Sequence, residues 1–171
     1  VARFRRMRAQ ATALAQDGNL RAGHAMYERA LGLWTGVPLA GVPGHYAEST
    51  RIRLAECRAS TVEDKVELDL RLGRHAEAIA MLVPTIDEHP LRERLRELWM
   101  RALYRSGRQA DALAVYEQTR RMLADELGID PGAALKSLHQ QILSADPVLD
   151  LDAAGREDQE RPAAERPLAS T

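Results

Sequence analysis

Leu72-Gly73-Arg74-His75-Ala76-Glu77-Ala78-Ile79-Ala80 and Ser106-Gly107-Arg108-Gln109-Ala110-Asp111-Ala112-Leu113-Ala114 are one segment written twice, 34 residues apart. That period belongs to helix–turn–helix repeats of the tetratricopeptide kind, in which one helical pair cannot bury its apolar face alone and stacks on its neighbours. A third turn glycine, Gly18, shares the register. Five residues after the three glycines stand Gly23, Ala78 and Ala112; nine after stand Tyr27, Leu82 and Tyr116; twelve after stand Ala30, Thr85 and Thr119. Small residues let paired helices approach, and a large one fills the groove between them. Gly18 and Gly73 are 55 residues apart, so an insertion separates the first repeat from the second.

Working outward from this unit, the spacing predicts seven helices. The first spans about Ala2 to Gln16 and stops at Asp17-Gly18-Asn19. The second runs from Leu20 to Trp34, with Met26, Tyr27, Ala30, Leu31 and Trp34 recurring at helical spacing. Two Pro and three Gly between Thr35 and Gly44 exclude a regular element there. The third helix runs from about Ser49 to Leu72, with Ala55, Ala59, Val62, Val66 and Leu70 as its buried row. Gly73 breaks it, and the fourth ends near Glu88. Pro90 opens the fifth, where a missing N–H costs nothing, and Leu95, Leu98, Trp99, Ala102 and Leu103 form its core face. The sixth carries Ala110, Leu113, Tyr116, Leu123 and Leu127 and ends at Gly128. Asp130-Pro131 reads as N-cap and first residue of a seventh helix ending near Leu143. The expected fold is therefore all-α: tetratricopeptide-like stacked helical pairs over residues 1–146, closed by a capping helix. From Pro147 the apolar period is lost, and residues 147–171 read as a disordered tail or linker.

Composition agrees. The chain is 45% apolar but only 4% aromatic, which favours helix formers over strand formers. Residues 147–171 hold three Arg against six acidic groups, leaving 21 basic against 19 acidic groups in residues 1–146. That balance creates no field that would by itself recruit nucleic acid. A single cysteine, Cys57, excludes an internal disulfide framework and a cysteine-based zinc site. No run of about 18 apolar residues and no signal-peptide pattern is present, so the expected setting is cytoplasmic, away from any membrane.

Catalytic chemistry is not signalled. The five histidines, His24, His45, His75, His89 and His139, lack a carboxylate or second His at metal-ligand spacing. No phosphate-binding loop or nucleophile elbow occurs, and Cys57 sits among small residues as a packed thiol. The chain reads as no enzyme, with no cofactor. One charge pattern rises above background: Arg94, Arg101 and Arg105 share a strip beside the core face of the fifth helix. It is either a solvated face aided by Glu97 or a contact strip for an acidic partner surface or phosphates. Arg3, Arg5, Arg6 and Arg8 are open to the same two readings and to that of a domain linker. Trp34 and Trp99 read as core anchors.

Three ordered runs go beyond a generic repeat. Ala30-Leu31-Gly32-Leu33-Trp34-Thr35-Gly36-Val37-Pro38-Leu39 resembles the A-L-x-L-W-x-G-x-P-L signature of the bacterial transcriptional activation domain, found in SARP-type antibiotic regulatory proteins of actinomycetes. Glu88-His89-Pro90-Leu91-Arg92-Glu93-Arg94-Leu95, followed by Leu103 to Leu113, extends the resemblance. Leu123-Ala124-Asp125-Glu126-Leu127-Gly128-Ile129-Asp130-Pro131-Gly132 is similar to the family's L-x-x-E-L-G-I-x-P-G. The resemblance implies an effector and oligomerisation domain that activates transcription, often of secondary-metabolite genes, through self-association and contacts with RNA polymerase or its machinery. Promoter DNA would be read by an N-terminal winged-helix domain, which this chain lacks, as it lacks the ATPase module of larger relatives. Beginning at Val1, the chain reads as a domain cut from a longer regulator, a truncated reading frame, or a free-standing homologue. The alternative is a free-standing peptide- or protein-binding scaffold, using the groove lined by the odd-numbered helices.

Overall fold

The three repeat glycines all occupy the left-handed region, with φ of +81° at Gly18, +71° at Gly73 and +76° at Gly107. A residue without Cβ enters that region freely, and here it closes the preceding helix in the same way three times. The N–H groups of Asn19, Arg74 and Arg108 reach back five residues to the carbonyls of Leu14, Asp69 and Leu103, at 2.9, 2.7 and 2.9 Å.

The computed structural model describes residues 1–36, 41 and 43–150. Seven α-helices follow one another: α1 (Ala2–Gln16), α2 (Leu20–Leu31), α3 (His45–Arg71), α4 (His75–Glu88), α5 (Glu93–Arg105), α6 (Gln109–Leu127) and α7 (Ala133–Leu143). A single 3₁₀ turn, Pro147–Leu149, comes after α7. Among the described residues there is no strand. Consecutive helices pack on one another, and α3 also touches α1 and α5, while α5 touches α7. The odd-numbered helices thus lie side by side along one face of the stack.

The repeat positions behave as the spacing demands. Gly23, Ala78 and Ala112 are buried at the close approaches, Tyr27 and Leu82 fill the grooves, and Tyr116 is half-buried. Thr85 and Thr119 are buried because each hydroxyl donates back to its own helix, to Met81 O at 2.9 Å and Val115 O at 2.7 Å. The central core joins Val62, Val66 and Leu70 of α3 to Leu82 and Ile86 of α4 and Leu95 and Leu98 of α5. A second core runs from Met100 and Leu103 to Leu135, Leu138 and Ile142, and Trp99 packs against both.

Several boundaries differ from the sequence reading. α5 starts at Glu93, not Pro90. Pro90 lies in a turn closed by the Arg92 N–H on His89 O at 3.1 Å, and its carbonyl accepts from Arg96 Nε at 3.1 Å. α7 starts at Ala133, because Glu93 of α5 accepts the Gly132 N–H at 2.7 Å and takes the capping role given to Asp130. α2 ends at Leu31, and Leu33 and Trp34 continue in tightened turns onto Ala30 O and Leu31 O. α3 begins a turn earlier than Ser49, at His45. Ala55, Ala110 and Leu127, read as core, are exposed. Packing continues past residue 146: Leu149 is buried in the second core. Val37, Pro38, Leu39, Ala40 and Val42 of the Pro/Gly segment, and residues 151–171 of the expected tail, lie outside the described residues.

Candidate functional site

The face formed by the odd-numbered helices is built around a carboxylate stripe on α3. Glu56, Glu63 and Glu67 recur at i, i+7 and i+11, which puts them on one side of that helix. Arg92, at the entrance to α5, grips Glu63 through Nε at 2.6 Å and a second nitrogen at 3.0 Å, and also donates to Glu56. A planar guanidinium matches a carboxylate in this two-pronged way. Glu63 above all, and then Glu56, hold the Arg92 guanidinium above its ordinary pKa. Across the other seam, Arg8 of α1 donates to Ser60 at 2.8 Å and pairs with Asp64 at 3.0 Å.

Arg94 and Arg101 meet at this surface. Arg94 contacts Glu67 at 2.6 Å and Glu97 at 2.8 Å, while Arg101 contacts Glu97 at 2.9 Å and Glu67 at 3.6 Å. Burial works against the charge on Arg94, but Glu97, then Glu67 and Glu63, outweigh it and raise its pKa. Two cations and two carboxylates thus form a closed quartet joining α3 to α5. Arg105 departs from the strip: its Nε donates to Leu149 O at 3.1 Å, and another nitrogen reaches Leu70 O at 3.4 Å. It ties the end of α3 to the end of the stack.

The carboxylate stripe and Arg92 were missed as site residues, although the heptad spacing of Glu56 and Glu63 was readable. Arg96 was missed too. It is almost fully buried, with burial pushing its pKa down, and it spans from Pro90 O to Met122 Sδ at 3.4 Å. Trp34 separates two clefts and packs edge-on against Phe4 with ring centroids 5.3 Å apart. One cleft, of about 550 Å³, is lined by Ile52, Ala55 and Arg58; the other, of about 360 Å³, by Arg3, Leu33 and Leu54. Among the described residues no group of three His, Cys, Asp or Glu is placed to hold a metal ion, and no helix is long and apolar enough to cross a membrane.

This seven-helix arrangement has counterparts among known proteins. Residues 1–143 match the family of the bacterial transcriptional activator domain. The chain belongs to that family. The regulatory protein AfsR of Streptomyces coelicolor is 56% identical over 141 residues, which cover 82% of this chain but 14% of AfsR. The transcriptional regulator RedD of the same organism is 40% identical over 153 residues, covering 89% of this chain and 43% of RedD. The structure of Mycobacterium tuberculosis EmbR in complex with a low-affinity phosphopeptide superposes with a TM-score of 0.82 at 31% identity. That match covers 92% of this chain and 43% of EmbR. The activator domain therefore spans less than half the length of each of these relatives, which are transcriptional regulators of the SARP type.

Proposed function

We propose that this activator domain is the effector and association module of a SARP-type regulator. It raises transcription through protein–protein contacts, while a winged-helix domain supplies DNA reading. The observation that carries the proposal is the family match over residues 1–143, which coincides with the seven-helix stack. The module offers side-by-side helices for contact, as suits a domain that works by binding. RNA polymerase or another part of the transcription machinery is the proposed partner, together with further copies of the chain. Secondary-metabolite genes are the proposed targets, and the cytoplasm the proposed site of action.

The test is a fusion of residues 1–171 to a winged-helix DNA-binding domain, read on a reporter carrying its operator. The fusion is expected to raise output above the DNA-binding domain alone, and the isolated chain to leave no footprint on the promoter. A specific footprint by the isolated chain, or a fusion that binds its operator without activating, overturns the assignment.

A further inference from the structure

We propose that the outer face of α4 is a docking surface for an amphipathic helix with Lys or Arg at its margins, presented by a protein of the transcription machinery. This rests on reading the domain as an effector module, and it names the surface and the chemistry of the partner.

The repeat supplies its own reference. Counted from the turn glycines Gly18, Gly73 and Gly107, the residues ten and eleven places on are Glu28 and Arg29 in α2, Val83 and Pro84 in α4, and Glu117 and Gln118 in α6. Glu28, Arg29 and Gln118 are exposed, and the Glu117 side chain is 40% exposed. Two repeats thus fill these outward positions with polar residues, as solvent favours. The middle repeat fills them with Val83, itself 40% exposed, and with exposed Pro84. Ala76 and Ala80 are exposed in the turns before, so Ala76, Ala80, Val83 and Pro84 follow at i, i+4, i+7 and i+8 along one apolar strip. α4 packs on α3 and α5 through its opposite side, where Ala78, Leu82 and Ile86 are buried. The strip lies in the middle of the stack, at neither end of the chain.

Pro84 sharpens the contrast. Proline is the least favourable residue in a helix interior, because it has no N–H and its ring crowds the preceding turn. Arg29 and Gln118, at the same place in the other repeats, are good helix formers. Pro84 also leaves Ala80 O without its usual intrahelical donor. A helix weakened at an outward position, with an apolar ring set beside a main-chain acceptor, breaks a local folding rule where a contact surface would.

Charge selects the partner. α4 carries Glu77, Asp87 and Glu88 and no Lys or Arg. Glu88 is paired with Arg58 at 2.7 Å, whereas Glu77 and Asp87 form no ion pair among the described residues. Asp87 acts on the buried Arg96 guanidinium only as a neighbouring charge. Glu77 and Asp87 stand at the two ends of the strip. A second copy is therefore the wrong occupant: two α4 helices packed antiparallel about the centre of the strip would set Glu77 of one against Asp87 of the other. Duplex DNA is refused by the same charges. An apolar helix face edged with Lys or Arg matches both the strip and its acidic ends.

Two variants and a cross-link test this in the fusion of residues 1–171 to a DNA-binding domain. Val83→Glu with Pro84→Gln gives α4 the residues that α6 carries at the same places. Because it removes a helix-interior proline, it is expected to melt at or above the temperature of the unaltered chain, while activation of the reporter falls by about fivefold or more. Glu77→Gln with Asp87→Asn keeps the strip and removes its acidic ends, and is expected to lower activation about threefold. A photo-cross-linking residue at Ala80, mapped by mass spectrometry, is expected to join a helical segment edged with Lys or Arg in an RNA polymerase subunit or another transcription protein. Full activation by the first variant overturns the proposal, as does a fall in its melting temperature, since Pro84 would then serve the fold. A cross-link to a second copy of the chain, to an acidic segment or to no protein overturns it too. The cross-link is read whether or not the reporter responds, so a fusion that fails to activate speaks against the effector reading alone.

Discussion

His24 of α2 and Asp69 of α3 face each other inside the stack with Nε2 2.7 Å from Oδ1, in an interface where the Asp69 carboxylate has no solvent exposure. The approach is short, yet Oδ1 receives no aligned hydrogen bond. The other oxygen accepts from Lys65 Nζ at 2.8 Å, and Arg74 lies 3.3 Å from the ring at the start of α4. A buried charge cluster joins three helices where a purely apolar seam would have sufficed.

Breaking that cluster from one side is expected to be costly. Asp69→Ala leaves the Lys65 ammonium, which is only 3% exposed, with Glu28 at 4.0 Å as its remaining carboxylate, and should lower stability towards the lower end of ~3–5 kcal/mol. Replacing both partners, Asp69→Leu with Lys65→Met, should be close to neutral or stabilising. Urea denaturation of the three proteins separates the cases. A single-variant loss below ~1 kcal/mol would show that the ammonium finds water on its own.

The α1–α2 pair depends on Gly23. A Cβ there would stand 3.0 Å from Ala11 O and 3.2 Å from Ala15 N, both backbone atoms that cannot swing aside. Gly23→Val is expected to cost ~1–3 kcal/mol through overpacking, whereas Ala25→Val, on the exposed face of the same helix, should stay within about 1 kcal/mol. Thermal melts of the two variants compare them, and equal losses would contradict the close approach.

The fork between Arg92 and Glu63 anchors the α4–α5 turn to α3. Both side chains are largely buried, at 25% and 12% exposure, so the pair should contribute more than a surface ion pair. A double-mutant cycle with Arg92→Gln and Glu63→Gln is expected to give a coupling of about 1 kcal/mol, reduced in high salt. No coupling would mean that packing alone sets this turn.

Acid titration has a defined target in Glu117. The Arg120 guanidinium, followed by Arg121, pushes its carboxyl down to about 2 from an ordinary value of 4.5. Because the folded value is depressed, any stabilisation is fully present above the unfolded value of 4.5 and is lost as pH falls towards 2. Carboxyl NMR titration should place the midpoint near 2, and Arg120→Ala with Arg121→Ala should return it towards 4.5. An unmoved midpoint would rule out these two arginines as the cause.

For partner contact, Arg94 and Arg101 are expected to behave differently from Arg105. Arg94→Gln with Arg101→Gln, in the reporter fusion, should lower activation roughly fivefold if the quartet meets the partner through a contact of ~1 kcal/mol. Arg105→Gln should lower the melting temperature first, since that side chain holds Leu149 O and Leu70 O. Unchanged reporter output for the first pair would return it to a purely structural role.

Helix order, turn positions and close-approach sites were legible because they depend on single residues. Gly18, Gly73 and Gly107 announce turns through their own freedom at positive φ, and Gly23, Ala78 and Ala112 announce approach through their own size. Helix starts were legible only where no distant residue intervened. Pro90 and Asp130-Pro131 carry sound local start signals, yet Arg96 takes Pro90 O and Glu93 takes the Gly132 N–H, moving both starts downstream.

The sequence by itself determined an all-helical stack with a 34-residue period and kinship with the activator-domain family, since period, residue size and backbone preference are properties of the chain read in order. Tertiary structure alone decided which charges are satisfied. Arg94 and Arg101 form one quartet with Glu67 and Glu97, while Arg105 binds main-chain carbonyls and Arg3 and Arg6 are exposed with no carboxylate paired to them among the described residues. All five are arginines on amphipathic helices, and nothing local tells them apart. Ion pairing depends on separations of a few ångströms between side chains far apart in sequence, and only the packing of one helix against another sets those separations.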